Sequence, residues 1–212
     1  MNRFCYLFAA LPLLFAASEP FPDPASDLPR AAAKGKETAV FAGGCFWCTE
    51  AVFEQLAGVQ KVVSGYSGGD KAGAHYETVS AGRTEHAESI EITYDPSRIT
   101  FGQLLKVFFS VAHDPTQLNR QGPDYGRQYR SAVFYANADQ KRVVEAYIEQ
   151  IDKAHVFGAR IVTQVRALQA FYPAEDYHQD FVKNNPMHGY VVQNALPKLQ
   201  KLKKLYPELL KK

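Results

Sequence analysis

The chain of 212 residues has little cysteine, no strong excess of charge and no internal repeat. Its net charge of +2 is too small to indicate nucleic-acid binding, and without a repeat each element must be interpreted singly. Only two of its three cysteines, Cys45 and Cys48, lie outside the N-terminal apolar segment. A zinc site would need two more ligands, and the histidines show no second pair at a suitable spacing. The histidines considered as ligands are His75, His86 and His178, three of the six in the chain.

The longest apolar run lies at the N-terminus and is short for a membrane span. Residues 4–17 are apolar apart from a proline, about 14 positions where a span needs roughly 20. Arg3 precedes the run and small residues follow at 16–18, so we predict a signal peptide at 1–18. The mature chain would then be secreted or periplasmic, without stable membrane insertion, and Cys5 would be discarded. An uncleaved membrane anchor is the alternative.

The remaining chain divides into a linker and one domain. Residues 19–36 contain four prolines among alanines and charges, a composition that predicts a tether rather than a core. We place the folded domain at 37–212, which is long enough for a sizeable core. Its end, 198–212, holds six lysines against one glutamate. We expect a solvated, partly helical extension there, with a membrane-surface contact as the alternative.

Strand and helix patterns alternate along the domain without a regular βαβ rhythm. Strands are predicted at 38–42, 59–64, 88–94, 131–136 and 160–165. Helices are predicted from Cys45 to about 57, after Thr100 to about 111, at 138–154 and at 175–183. Glycine-rich or irregular segments at 65–83 and 113–128 are predicted as loops. We therefore expect an α+β fold, a mixed α/β two-layer sandwich in which helices pack on a mixed sheet.

The pair Cys45 and Cys48 lies where a strand gives way to a helix. Gly43 and Gly44 end the strand pattern and the helical pattern begins at Phe46, so we expect Cys45 at a helix N-terminus. Unpaired N–H groups and the helix dipole favour an anion there, which predicts a lowered thiol pKa and a thiolate. Positions three apart on a helix have Cβ atoms roughly 5–6 Å apart, so a reversible disulfide is possible after a small adjustment.

Glu88 lies on the apolar side of a predicted strand. Even-numbered positions share one face, so Glu88 accompanies Ile90, Ile92 and Tyr94, while Ser89 and its odd-numbered neighbours face water. Burial without a cation would raise the pKa of this carboxyl and keep it protonated, as a general acid requires. A strand-end glutamate that reaches solvent, or that pairs with a basic neighbour, explains the pattern equally well. The basic neighbours are Arg83 and His86.

Other polar positions are weaker candidates when taken singly. Asp124 lies in a long loop, where aspartate is also a good turn residue. Tyr76 and Tyr129 are two of twelve tyrosines, and packing explains each of them as well as catalysis does. His113 and Asp114 could form a catalytic pair, but the end of a helix accounts for them equally.

Several motifs in the same order resemble the peptide methionine sulfoxide reductase type A family, over about residues 38–190. The motifs are Gly44-Cys45-Phe46-Trp47, Gly65-Tyr66-Ser67-Gly68-Gly69, Tyr76, residues 82–96 with His86-Ala87-Glu88, His113-Asp114-Pro115 and residues 121–131. The resemblance implies an enzyme that reduces the S epimer of methionine sulfoxide, free or in proteins, without a cofactor or a metal. Repair of oxidised proteins would be its role.

The resemblance also implies roles for individual residues. Cys45 matches the nucleophile that attacks the sulfoxide sulfur and becomes a sulfenic acid, and Glu88 matches the acid that protonates the oxygen. Tyr76 and Tyr129 match hydroxyls that hydrogen-bond this oxygen, and Asp124 matches a supporting carboxylate. Two residues match the apolar pocket for the substrate methyl group. They are Phe46 and Trp47.

The C-terminal segment departs from many family members, which recycle through cysteines in a glycine-rich tail. No cysteine follows Tyr190, so Cys48 is the available resolving thiol, and a thioredoxin-like dithiol would reduce the resulting disulfide. We expect a monomer. A general thiol–disulfide oxidoreductase is the main alternative, although in the thioredoxin family the tryptophan precedes the cysteines rather than lying between them. A non-catalytic binding module would leave the placement of Glu88 unexplained.

Overall fold

A mixed β-sheet forms the centre of the computed structural model, which describes residues 21–212. The predicted signal peptide, 1–18, lies outside the described residues. The strands are β1 Glu37–Gly43, β2 Val59–Ser67, β3 Ala87–Tyr94, β4 Arg120–Gln121, β5 Asp124–Tyr125, β6 Ser131–Tyr135, β7 Gln164–Ala167 and β8 Phe171–Pro173. The α-helices are α1 Phe46–Glu54, α2 Tyr76–Ser80, α3 Phe101–Val107, α4 Ala138–Lys153, α5 Phe181–Asn184 and α6 Leu196–Leu205.

Six strands make the main sheet, in the order β7-β6-β1-β3-β2-β8. All neighbours are antiparallel except β6 and β7, which run parallel. The short strands β4 and β5 form a separate hairpin within the predicted loop 113–128. The α+β class with a mixed sheet is therefore confirmed.

The sheet is covered on one face and partly covered on the other, where Glu91 and Thr93 stay half-buried. The larger core packs helices onto one face and includes Phe41, Ile90 and Ile92, all of them fully buried. A smaller cluster on the other face includes Ala42 and Phe134. The expectation that Ser89 faces water is wrong, because this second cluster covers its side of β3 and leaves Ser89 fully buried.

Several element boundaries differ from the sequence prediction. Strand β2 continues through Gly65 to Ser67, predicted as loop, because β3 and β8 both pair with it there. The predicted loop 65–83 also contains α2. The strand expected at 160–165 lies at Gln164–Ala167, where it pairs with β6. The helix expected at 175–183 is divided into a single 3₁₀ turn and the four-residue α5.

Residues 21–36 contain no helix or strand, yet they pack on the domain. The Asp27 carboxylate accepts a hydrogen bond from Gly102 N at 2.7 Å, at the start of α3. Tyr147 donates its hydroxyl hydrogen to the Pro22 carbonyl oxygen at 2.6 Å. The segment thus differs from a free tether, since its prolines exclude regular structure but its polar groups attach it to α3 and α4.

The C-terminal segment is helical as expected, but one side of it is built into the core. Leu202 on α6 is fully buried and Tyr206 nearly so. Beyond α6, the Lys211 backbone N–H donates to the Gln55 carbonyl oxygen at 2.8 Å, next to the end of α1. Within residues 21–212, no helix is both long and apolar enough to span a membrane.

Candidate active site

Cys45 occupies the N-cap position of α1, immediately after the turn from β1. Its carbonyl oxygen accepts the Cys48 backbone N–H at 3.2 Å, which starts the helix. Gly44 permits the turn because its φ is +85° and a Cβ there would lie 2.4 Å from the Gln121 Cβ. The predicted helix N-terminus at Cys45 is therefore confirmed.

The two thiols are reduced and almost fully enclosed. Cys45 is 8% exposed and Cys48 is 1% exposed. Burial, followed by a hydrogen bond with Cys48 and the charge of Glu88, raises the pKa of Cys45 well above its usual value. The expected resting thiolate at Cys45 is therefore wrong, because burial destabilises an anion at this position. The hydrogen bond with Cys45 instead lowers the pKa of Cys48.

Glu88 is buried on β3, directly beneath the start of α1. It is 2% exposed, and its Oε2 accepts the Phe46 backbone N–H at 3.1 Å. Burial, with repulsion from Asp124 and Cys48, raises the pKa of Glu88 to about 8. Glu88 does not reach solvent, and within the described residues it forms no salt bridge with a basic neighbour. Both alternative explanations of the strand pattern are therefore excluded. The carboxyl is protonated at neutral pH and can donate its proton.

Tyr76 and Tyr129 come from separate elements to the same place. Tyr76 is the first residue of α2, and Tyr129 ends a single 3₁₀ turn before β6. Both are half-buried. Burial raises the pKa of each phenol, and so do the charges of nearby Glu88 and Cys45. Both hydroxyls therefore remain protonated donors beside the thiol and the carboxyl.

Asp124 reaches the cysteine pair through a residue that the sequence did not indicate. Its carboxylate accepts a hydrogen bond from the Tyr190 hydroxyl. Burial raises the pKa of Asp124, against the opposing effects of this bond and of Lys198. Tyr190 also packs against the buried cluster that holds both cysteines. One small cavity is lined by Cys45, Asp124, Tyr190, Lys198 and four neighbours.

Phe46 and Trp47, the residues predicted to line the apolar substrate pocket, differ in how deeply they are buried. Phe46 is 1% exposed and lies in the main core, whereas Trp47 is half-buried and keeps some surface. The Trp47 indole stacks on Phe181, with ring centroids 3.7 Å apart, and its Nε1 donates to His178 Nδ1 at 3.0 Å. His178 and Phe181 are further site residues that no sequence motif had indicated.

His113 and Asp114 belong to the support of the site rather than to its chemistry. His113 Nδ1 hydrogen-bonds the Phe108 carbonyl oxygen at 2.9 Å, and burial lowers the pKa of His113 to about 3. Asp114 accepts hydrogen bonds from Thr116 within the turn that follows. The helix-ending explanation therefore accounts for both residues.

A cysteine pair, a neutral carboxylic acid and two phenols, held by a mixed-sheet domain, define a cysteine-dependent reductase. A family model described as peptide methionine sulfoxide reductase matches residues 37–209. The chain belongs to this family.

Named relatives agree with this assignment. The chain is 60% identical over 178 residues to "Peptide methionine sulfoxide reductase MsrA 2" of Mesorhizobium japonicum, covering 84% of this chain and 91% of the relative. It is 55% identical over 201 residues to the protein of the same name from Synechocystis sp., covering 94% of each.

Solved structures show the same likeness. The methionine sulfoxide reductase A of Corynebacterium diphtheriae matches with a TM-score of 0.64 at 36% identity, over 74% of this chain and 78% of that one. Mxr1 from Saccharomyces cerevisiae in reduced form also gives 0.64, at 33% identity, over 75% and 90%. The chain is an enzyme that reduces methionine sulfoxide, as the sequence predicted, and a general thiol–disulfide oxidoreductase is not favoured.

Proposed function

We propose that the chain reduces the S epimer of methionine sulfoxide, with Cys45 as the nucleophile and Glu88 as the proton donor. The observation that carries this proposal is the position of Glu88, a buried neutral carboxyl held against the N-terminus of the helix that Cys45 caps. A sulfoxide oxygen leaves poorly without a proton, and this group can supply one at neutral pH.

The reaction balances within the site. The Cys45 sulfur attacks the sulfoxide sulfur, and the oxygen is protonated as negative charge builds on it. The bond between the two sulfurs then breaks as the protonated oxygen passes from the substrate sulfur to the Cys45 sulfur. Methionine leaves as the thioether and Cys45 becomes a sulfenic acid, so the cysteine sulfur is oxidised as the substrate sulfur is reduced. The raised pKa of Cys45 means that its proton must be transferred to solvent as the attack proceeds, because protonated Glu88 cannot accept it.

The neighbouring side chains have supporting roles. The hydroxyls of Tyr76 and Tyr129 hydrogen-bond the sulfoxide oxygen, and their protonated state suits this task. Asp124 supports the site through a water molecule or the substrate backbone. The Trp47 indole, fixed by its hydrogen bond with His178, faces the substrate methyl group with Phe46 behind it.

Cys48 completes the cycle in this proposal. It lies one helical turn after Cys45, both thiols belong to the same buried cluster, and residues 49–212 contain no other cysteine. Cys48 condenses with the sulfenic acid to form a disulfide, which a thioredoxin-like dithiol then reduces. Multiple turnover with a thioredoxin system as the only reductant tests this partner, and a Cys48→Ser variant that turned over at the wild-type rate would exclude the resolving role.

The location and assembly are proposed from the sequence. Arg3, the apolar run at 4–17 and the small residues after it support export to the periplasm or the exterior. The mature chain acts there as a monomer on free or protein-bound methionine sulfoxide. N-terminal sequencing of the protein recovered from fractionated cells tests this directly, since a chain found in the cytoplasm with residues 1–18 intact would contradict it.

Glu88→Gln tests the proton donor, with Glu91→Gln as the matched control. Both residues lie on β3, but Glu91 belongs to the other face. We expect the rate of methionine formation at neutral pH to fall by about two to four orders of magnitude in Glu88→Gln and to stay near wild type in Glu91→Gln. An unchanged rate in Glu88→Gln would remove Glu88 from the mechanism.

A further inference from the structure

A turn at residues 175–178, directly after β8, is held firmly against the central sheet. On one flank, the Ala174 backbone N–H donates to the Ser64 carbonyl oxygen on β2 at 2.9 Å. On the other flank, the Gln179 amide accepts the Ser64 N–H at 2.9 Å and donates to the Ser64 carbonyl oxygen at 3.0 Å. Because the sheet holds both flanks, the turn is a firm support for the side chains that pack on it.

His178, the last residue of this turn, holds the Trp47 indole. It is 1% exposed, and its Nδ1 accepts the hydrogen of Trp47 Nε1 at 3.0 Å. An indole N–H can only donate, so His178 Nδ1 is unprotonated, and burial favours this state by lowering the pKa of His178. Trp47 also stacks flat on Phe181, with 8° between the rings. Stacking fixes the plane of the indole, whereas the hydrogen bond fixes its position within that plane.

The same turn holds Tyr76. The Glu175 carboxylate accepts the Tyr76 backbone N–H at 3.0 Å, at the start of α2, and its other oxygen accepts the buried Tyr66 hydroxyl at 2.8 Å. The His178 ring lies against the Tyr76 ring, with centroids 4.3 Å apart, and against the Phe46 ring at 5.0 Å. The indole and the phenol, which come from different helices, are therefore both held by one turn.

This connection matters because of the shape of a sulfoxide. Its sulfur carries one oxygen and two carbon substituents at fixed angles, and in the proposed function Tyr76 binds the oxygen while Trp47 contacts the methyl group. If the separation of these two side chains is fixed, a substituent larger than methyl moves the oxygen away from the Tyr76 hydroxyl. A pocket of fixed size can disfavour one extra methylene by about 10- to 200-fold.

We propose that His178 is a positioning residue that makes the site selective for methyl sulfoxides, by holding Trp47 at a fixed separation from Tyr76. This inference rests on the proposed function, in which Trp47 and Tyr76 contact the substrate. His178 acts through the Trp47 indole, and its hydrogen bond carries the effect rather than the packing of its ring. Glu175 contributes from the same turn by fixing the backbone of Tyr76.

Two variants separate the hydrogen bond from the packing of the ring. His178→Phe keeps a ring against Tyr76 but removes the acceptor, whereas His178→Asn loses the ring but offers an amide oxygen near the position of Nδ1. Tyr177→Phe is the matched control, because Tyr177 belongs to the same turn, is 62% exposed and keeps its ring. Each reduced protein is mixed with methionine sulfoxide or with its S-ethyl analogue, ethionine sulfoxide, and the second-order rate constant for thioether formation is measured.

The ratio of the two rate constants, methyl over ethyl, should fall by about three- to tenfold in His178→Phe, because the indole can then move aside for the longer group. His178→Asn should retain most of the wild-type ratio, and Tyr177→Phe should match wild type. Release of about one equivalent of methionine shows that each variant is folded. A His178→Phe ratio equal to that of Tyr177→Phe, or an equal fall in both His178 variants, would overturn the proposal.

A second measurement needs no turnover, because Trp47 is the only tryptophan in the chain. The decay of its fluorescence anisotropy should show added local motion in His178→Phe and should match wild type in His178→Asn. An unchanged decay in His178→Phe would overturn the inference. Failure of the proposed function would appear elsewhere, as methionine release by Cys45→Ser or as a wild-type rate in Glu88→Gln.

Discussion

At the scale of single residues, burial is the main influence on the protonation of the site. Both Cys45 and Glu88 have pKa values raised by desolvation, so the resting site holds a thiol beside a carboxylic acid. The reactive combination, a thiolate with a protonated acid, is then a minor form of the free enzyme. This order of titration has a direct consequence for the pH dependence of the rate.

The second-order rate constant for methionine formation should rise with pH to about 8 and then become level. Below that value Glu88 is protonated and the thiolate fraction of Cys45 grows with pH, whereas above it the loss of the Glu88 proton cancels the gain. Rapid-quench kinetics at low substrate concentration measure this profile. Glu88→Gln should be slow and should keep rising through pH 8, so a Glu88→Gln profile that also levelled there would contradict the assignment.

Residue roles were predictable where a local pattern carries them. Strand parity alone placed Glu88 with Ile90 and Ile92 on the buried face, because side chains alternate along a strand. The raised pKa of Cys45 was not predictable, since it depends on what covers the helix terminus. Tyr190 and His178 reach the site from distant segments, and neither has a sequence pattern that reports its partner.

At the scale of elements, the turn between β1 and α1 fixes the position of the nucleophile. Gly44 adopts a positive φ and lies against Gln121, which in turn hydrogen-bonds the backbone of Asp114 through both ends of its amide. This connection joins the cysteine turn to the long loop that ends near Tyr129. The loop and the nucleophile are therefore held in one arrangement.

Gly44→Ala should destabilise the fold and reduce activity. The positive φ costs about 1–3 kcal/mol for a residue with a Cβ, and the new Cβ also collides with Gln121 and displaces Cys45. Urea unfolding and the methionine formation rate measure both effects. Gly158→Ala is the control, since a Cβ there meets nothing within 4 Å, and an equal loss of stability in the two variants would refute this account of the turn.

Element positions were largely predictable, and the failures have a common cause. Asn137 caps α4 and Thr100 caps α3 as the sequence indicated, because a cap is a local hydrogen bond. The extension of β2 and the shift of β7 come from pairing with strands remote in sequence. No local pattern contains that information.

At the scale of the whole molecule, the fold buries a second neutral carboxyl besides the one in the site. Glu50 on α1 is 2% exposed. Burial and the neighbouring charge of Glu54 raise the pKa of Glu50 from 4.5 to about 8. Glu88 has a shift of the same size and sign. At these two carboxyls the folded chain therefore binds more protons than the unfolded chain between pH 4.5 and about 8.

The contribution of these two carboxyls to the free energy of unfolding should consequently fall as pH rises, while buried His113 contributes in the opposite direction. The contribution of Glu50 is fully present below about pH 4.5 and is lost as pH rises through about 8, because the unfolded chain ionises first. Glu50→Gln should make this decline shallower, and Glu88 should account for part of what remains. Urea unfolding between pH 4 and pH 9 measures the free energy of unfolding at each pH. Glu145→Gln is the control because Glu145 is exposed. If Glu50→Gln left the slope of this free energy against pH unchanged, the assignment of a raised pKa to Glu50 would be contradicted.

Both ends of the described chain pack on the domain. The segment 21–36 attaches to α3 and α4. Residues 190–199 cover the cysteine pair and include Tyr190 and Lys198. Composition alone suggested a tether and a solvated tail. Composition misses such packing because a few well-placed side chains are enough to anchor a segment.

The central claim is that Cys45 carries out the reduction and Cys48 resolves its product. Its most direct test is the amount of methionine released per enzyme from methionine sulfoxide without any reductant, together with the state of the two thiols. Wild type should release about one equivalent and form the Cys45–Cys48 disulfide, Cys48→Ser should release about one equivalent and retain a sulfenic acid, and Cys45→Ser should release none. Methionine release by Cys45→Ser would contradict the account.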